Sequence, residues 1–249
     1  SVLSMMIGKE FGLGPQEIQK LGLGALFHDI GKTRIPSRLF TKKEPLSDAE
    51  LNLIRFHPKY GSEIVERIPG FPRESAEVVL QHHEYINGRG YPQFLKGEEI
   101  SLFARIVAVA NTYDNHCNHN DPKDSMTPAE ALAYMFKKQA DYFDGPFLQI
   151  LIRCLGVYPP GTVVELSNDM TGVVISINSS DLLHPSVMLY DPAIPREEAV
   201  CIDMAQESEI EIVKAVRPDQ LQPKVFQYLN PRTHVNYYFD NSALKENNA

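Results

Sequence analysis

Residues 82 to 92, His82-His83-Glu84-Tyr85-Ile86-Asn87-Gly88-Arg89-Gly90-Tyr91-Pro92, set two adjacent imidazoles and a carboxylate ahead of a glycine-rich loop. Earlier in the chain His28-Asp29 is followed by Gly31 and Lys32, and His57 stands directly before Pro58. Taken together, His28, Asp29, His57, His82 and His83 are the nitrogen and oxygen donors that a binuclear centre needs, and such donors suit iron, manganese or zinc. Neighbours on a helix point about 100° apart, so His82 and His83 reach one site only at a helix terminus or where two metals separate them. A carboxylate at Asp29 is then the natural bridge. Each histidine taken singly has a plainer reading, as a hydrogen-bonded helix-end residue whose charged form the C-terminal dipole favours. The Gly-x-Gly-Tyr-Pro run, in isolation, is a tight turn. Glu84 reads either as a partner that orients an imidazole, the preferred expectation, or as an exposed helix-end charge.

The elements that must present these groups are mostly helical. Apolar residues from Val2 to Phe11 keep near-helical spacing without a preceding cap, as expected of a helix whose first turns lie upstream of Ser1. A second helix is expected from Gly14-Pro15 through Phe27, delivering His28-Asp29 at its end. Ser47-Asp48-Ala49-Glu50 is a capping box for a helix expected to end on His57-Pro58, and another follows from Pro58 through Ile64, Val65 and Ile68. Glu74 to His83 reads as helix, and Ile100 to Tyr113 as a long buried one with Asn111 and Asp114 on a shared face. Thr127-Pro128-Ala129-Glu130 caps the next helix, and the last runs from Asp144 to Leu155.

After Tyr158-Pro159-Pro160-Gly161 the period changes. Short β-rich runs at 162–166, 172–177, 186–190, 199–202 and 210–213 suggest a small barrel of the SH3-like kind. The expected fold is therefore mainly α with a small C-terminal β-barrel-like module, α+β in total. The expected organisation is a helical domain over 1–157, a β-rich module over 158–240 and a disordered tail over 241–249. That module reads as structural or partner-binding, since nothing in it looks catalytic.

Composition narrows the classes. The 249 residues are 43% apolar and carry a formal charge of −8, which argues against a polymeric nucleic-acid surface and makes an anionic substrate dependent on local cations or metals. No run approaches the ~20 apolar residues that span a bilayer. Cys117, Cys154 and Cys201 are far apart, so neither a disulfide framework nor a thiolate zinc site is expected, and a reducing cytoplasm fits.

His28-Asp29-Ile30-Gly31-Lys32, His57-Pro58 with Gly61, and His82-His83-Glu84 followed by Gly88-Arg89-Gly90-Tyr91-Pro92 resemble the HD-GYP family of cyclic di-GMP phosphodiesterases. The likeness covers about residues 1 to 155 in the right order. It implies an all-helical HD fold and two or three divalent ions, iron or manganese. The implied reaction is hydrolysis of cyclic di-GMP to linear pGpG or GMP by a metal-activated water. Carried over by position, His28, Asp29, His57, His82 and His83 match metal ligands, Asp29 and Lys32 take catalytic roles, and Lys32, Asp114 and Lys123 lie near the substrate phosphates. Gly88, Gly90, Tyr91 and Pro92 resemble a wall of the site and a docking surface for GGDEF domains. Homodimerisation is also among the expected associations.

The chain departs from the family at several points. Asn111 stands where the family has an acidic ligand, and a neutral amide holds a cation less firmly. A further histidine and glutamate of the family would fall before Ser1 by spacing. Residues 115–124 lack the arginine-rich pattern, and Asn87 replaces a frequent aspartate. These departures sustain a second reading, a degenerate HD-GYP protein that binds cyclic di-GMP or a GGDEF partner and signals without turnover. A third, an HD phosphohydrolase acting on another nucleotide, fits the Gly-Tyr-Pro loop less well.

Overall fold

A computed structural model describes residues 1–42, 44–119, 124–207 and 209–230. The chain is helical through α1 (Val2–Phe11), α2 (Pro15–Phe27), α3 (Asp48–Arg55), α4 (His57–Val65), α5 (Arg73–Gln81), α6 (Leu102–Cys117), α7 (Pro128–Lys138) and α8 (Gly145–Leu155). Strands β1 (Val163–Leu166), β2 (Thr171–Ser176), β3 (Ser186–Leu189), β4 (Cys201–Asp203) and β5 (Ile212–Val216) follow, with a short helix α9 (Pro223–Leu229) after them. The expected α+β class is therefore what the chain adopts. Lys123, His234 and the tail 241–249 lie outside the described residues.

α6 is the axis of the helical part. Ala104, Ile106, Val109 and Tyr113 are fully enclosed, with Leu3 and Ile7 of α1, Leu21 of α2, Val78 of α5 and Leu151 of α8 in the same core. Its start is two residues later than the apolar spacing predicts, because Ser101 caps it by accepting from the Ala104 N–H at 3.3 Å. The capping boxes at Ser47 and Thr127 form as expected, Ser47 accepting from the Glu50 N–H at 3.3 Å and Thr127 from the Glu130 N–H at 3.2 Å.

Three further boundaries differ from the sequence reading, and two of them move histidines. His57 opens α4 instead of closing α3, since Pro58 falls in a first turn where its missing N–H costs nothing. α5 ends at Gln81, so His82 is its cap and His83 stands beyond it. Ile68 likewise lies past the end of α4.

The β part is a single antiparallel sheet in the order β4-β3-β2-β1-β5. Register shifts at Glu165/Leu166 and Val174/Ser176 bend it. Alternation along β1 sends Val164 and Leu166 into a core with Val174, Val187, Leu189 and Met204, while Val163 joins Val173 and Leu229 on the other face. Leu229 belongs to α9, a helix that the sequence reading did not anticipate.

Close backbone contacts set the spacing around the histidines. A Cβ on Gly31 would collide with the His57 carbonyl and lie 2.5 Å from the Gly61 nitrogen, and one on Gly24 would lie 2.8 Å from Val78 Cβ. The turn that carries Asp29 is thus pressed onto the first turn of α4, and α2 onto α5. Gly31→Ala is expected to cost about 1–3 kcal/mol in urea unfolding. A cost near zero would show that the two segments can separate freely.

Candidate metal centre

Asp29, His57, His82 and His83 each offer one ligand atom, and these four atoms lie within 4.8 Å of one another. Three helix ends bring them together. His28 caps α2 with Asp29 next to it, His57 begins α4, and His82 caps α5. The resulting cluster sits at the buried edge of the helical core, with His57 and His82 each 1% exposed.

The imidazoles are fixed by the main chain. Nδ1 of His28 meets the Ala25 carbonyl at 2.8 Å, Nδ1 of His57 the Ile54 carbonyl at 2.8 Å, and Nδ1 of His82 the Val79 carbonyl at 3.0 Å. Since a carbonyl only accepts, each Nδ1 carries the proton, and in the neutral ring each Nε2 is left as a lone pair. Those lone pairs converge. His57 Nε2 and His82 Nε2 are 3.1 Å apart, and Asp29 Oδ1 lies 3.2 Å from the first and 3.8 Å from the second.

Asp29 Oδ1 is buried and has no hydrogen-bond partner. Three acceptors facing one another without a shared proton repel, and a cation between them removes the repulsion. The donor set therefore fits a divalent ion with nitrogen and oxygen ligands. The other oxygen of Asp29 faces elsewhere: Oδ2 lies 3.3 Å from His28 Nε2 and accepts from Lys32 Nζ at 2.6 Å.

Electrostatics keep these groups in their ligating forms. Burial drives the His82 imidazole well below its usual value, and the His83, His28 and His57 rings add to this. His83 is pushed down to about 3, first by burial and then by His57. Burial alone would raise the Asp29 carboxyl, but a proton on the facing nitrogen of His28 or His57 when no cation is bound, together with the Lys32 ammonium, holds it well below the carboxylate range.

A cavity of about 380 Å³ opens beside the cluster, lined by His28, Asp29, Asn111 and Asp114 among others. Asn111 and Asp114 thus do share the face their spacing predicts. Asp114 Oδ1 also accepts from Asn118 Nδ2 at 3.0 Å.

Within the loop, Tyr91 lies flat against His83, with ring centroids 4.6 Å apart and 19° between planes. Gly90 is buried so tightly over 83–85 that no Cβ fits. Gly88 takes a positive φ of 77° over the Lys96 side chain. Glu84 corrects the expectation that it orients an imidazole: it is 1% exposed and accepts from the N–H groups of Gln93 at 2.6 Å and Leu95 at 3.1 Å. Its carboxyl is raised by burial, and the backbone N–H groups oppose that rise. The main-chain carbonyls that fix the rings and the stacking of Tyr91 are features that residue types do not reveal.

Residues 1–146 match the family model described as HD domain. The chain belongs to the HD domain family. Among relatives of this HD chain, a protein of Pseudomonas aeruginosa named a cyclic di-GMP phosphodiesterase is 30% identical over 219 residues, covering 87% of this chain and 52% of that protein. A Vibrio cholerae protein named a 3′3′-cGAMP-specific phosphodiesterase is 28% identical over 172 residues, 69% of this chain and 37% of its own. The solved structure of an HDG"Y"P protein of Bdellovibrio bacteriovorus superposes with a TM-score of 0.53 at 28% identity, covering 61% of this chain and 49% of that one. The HD chain accordingly spans about half, or less, of the length of the curated relatives it matches.

Protonation must compete with folding here. Unfolded histidine titrates near 6.5, whereas His82 and His83 in the fold resist protonation. Below about pH 6.5 the unfolded chain therefore binds more protons than the folded one, and stability falls as pH falls. Asp29, depressed in the fold, adds its own loss below about pH 3.9. Urea unfolding of metal-free protein from pH 7.5 to 4 should show this decline, with a shallower slope in His83→Gln. A flat profile would contradict the neutral, buried imidazoles.

Proposed function

We propose that the chain is the catalytic unit of a metal-dependent phosphodiesterase that opens 3′,3′-cyclic dinucleotides, with cyclic di-GMP as substrate and pGpG or GMP as product. The observation that carries this reading is the convergence of His57 Nε2, His82 Nε2 and the unpartnered Asp29 Oδ1 on one point. The names of the relatives support the substrate class. Both share the diester linkage and differ only in one purine.

In this reading His57, His82, His83 and Asp29 Oδ1 hold one ion, and His28 with Asp29 Oδ2 and Asn111 serve a second, iron or manganese in both cases. Bound divalent ions neutralise charge that builds on phosphoryl oxygens and make a water acidic enough to attack near neutral pH. The protein's own part is to orient and to exclude. The Ala25, Ile54 and Val79 carbonyls hold the rings in one tautomer. Lys32, hydrogen-bonded to Asp29 and two-fifths exposed, steadies the bridging carboxylate and offers N–H donors to a phosphate oxygen or leaving group. Asp114 lines the adjoining cavity. A helical unit ending near residue 157, a cytoplasmic setting and GGDEF-domain docking on the outer side of the Gly88–Pro92 loop belong to the same reading. Among the described residues no helix is long and apolar enough to cross a membrane.

One observation favours a second reading, binding without turnover: in the cavity wall shared with His28 and Asp29, position 111 carries a neutral amide where the resemblance implies an acidic ligand. The two readings separate in one experiment. Full-length protein reduced and loaded with iron or manganese should linearise cyclic di-GMP, and Asp29→Asn should lower the rate by about 100-fold or more. Asn111→Asp should tighten metal binding about tenfold, since ligand charge sets affinity. Tight cyclic di-GMP binding with no linear product under any metal would leave only the second reading.

A further inference from the structure

Every cation–aromatic pair among the described residues lies at one corner of the fold, beside the metal cluster. The Arg55 guanidinium sits 5.9 Å from the Tyr91 ring centre, Lys59 Nζ 5.4 Å from that of Phe56, and the Arg34 guanidinium 5.9 Å from that of Tyr60. Phe56 and Tyr60 are themselves stacked at 6.2 Å and 29°. Because Tyr91 lies against His83 and Phe56 adjoins His57, the strip starts at the cluster and runs outward along the junction of α3 and α4.

Several of its properties are those of a surface kept open for an anionic aromatic ligand. Phe56 is 45% exposed, which leaves part of its ring face open to a stacking partner. Arg34 is paired with Glu63 at 2.5 Å, whereas Arg55 and Lys59 have no ion pair among the described residues. Lys32, the other cation near the cluster, is engaged by Asp29 at 2.6 Å. In a chain of formal charge −8, two cations without ion pairs among the described residues, set beside the exposed Phe56 ring and the half-buried rings of Tyr60 and Tyr91, form a local reversal of sign. Purine rings stack on such aromatics, and a guanidinium binds phosphate oxygens or the O6/N7 edge of guanine. A segment rich in arginine is missing from 115–124, and this strip supplies cations from another element.

We infer that Tyr91, Arg55, Phe56, Lys59, Tyr60 and Arg34 form a subsite for the half of the cyclic dinucleotide that is not being cleaved. One purine stacks on Phe56, and Arg55 with Lys59 face the second phosphodiester. The inference rests on the proposed phosphodiesterase reading and adds the residues that would give it preference for a dinucleotide over a simple diester.

The test uses the full-length, manganese-loaded protein, the double variant Arg55→Ala/Lys59→Ala, Phe56→Ala and Phe56→Trp. Cyclic di-GMP binding is followed by calorimetry, and hydrolysis of bis(4-nitrophenyl) phosphate, a diester without purine or second phosphate, is followed alongside. The double variant and Phe56→Ala should each weaken cyclic di-GMP binding about tenfold, equivalent to one guanidinium contact or one stacked base. Phe56→Trp should restore it, and small-diester turnover should stay within about twofold of wild type, as should metal content. Unchanged cyclic di-GMP binding in both variants overturns the subsite, as does an equal loss on both ligands. Wild-type protein that cleaves the small diester yet binds no cyclic dinucleotide overturns it while sparing the phosphodiesterase reading. Wild-type protein inert toward both removes that reading and the subsite with it.

Discussion

The structure depends on a repeated main-chain contact: at three helix ends, the carbonyl three residues before a histidine accepts from its Nδ1–H. This contact uses up one nitrogen of each ring and aims the other at Asp29. Without it the imidazoles would choose their own tautomer, share protons with the carboxylate and behave as an ordinary polar cluster. With it, the lone pairs of His57 and His82 face the unpartnered Asp29 Oδ1, an arrangement that a low-dielectric interior tolerates poorly unless a cation is present.

The surrounding fold exists to hold helix ends at that spacing. Gly31 lets the Asp29 turn approach the His57 carbonyl, Gly24 lets α2 approach α5, and Ser75 ties the two helices by donating to the Lys20 carbonyl at 2.7 Å. On the far side, Glu84 anchors residues 93–95 and Gly90 packs over 83–85, so Tyr91 is laid on the ring of His83. The loop that follows His82-His83 is therefore a wall of the cluster, with its tyrosine turned inward.

Much of this was legible in residue types and order. His28-Asp29, His57 and His82-His83 stood at helix ends because apolar periodicity stops just before each, and helix ends are where rings from different helices can meet. Asn111 and Asp114 shared a face because their spacing is helical, and all five strands were signalled by short β-branched runs between turns. Glu84 was misread because neighbouring spacing cannot tell whether a carboxylate faces the ring before it or a loop nine to eleven residues later. His57 was placed at the wrong end of a helix because Phe56 keeps helical dihedrals through the junction, so nothing but the proline separates α3 from α4. α9 was hidden by Pro223, which suits a first turn as well as a loop. The basic and aromatic strip at that same junction is spread over three segments, and only the fold collects it.

Anomalous diffraction from crystals of manganese- or iron-loaded protein tests the central claim most directly. The account predicts a peak within bonding distance, about 2.0–2.2 Å, of Asp29 Oδ1, His57 Nε2 and His82 Nε2. No peak there, with the three groups instead joined by hydrogen bonds at full metal loading, would contradict it.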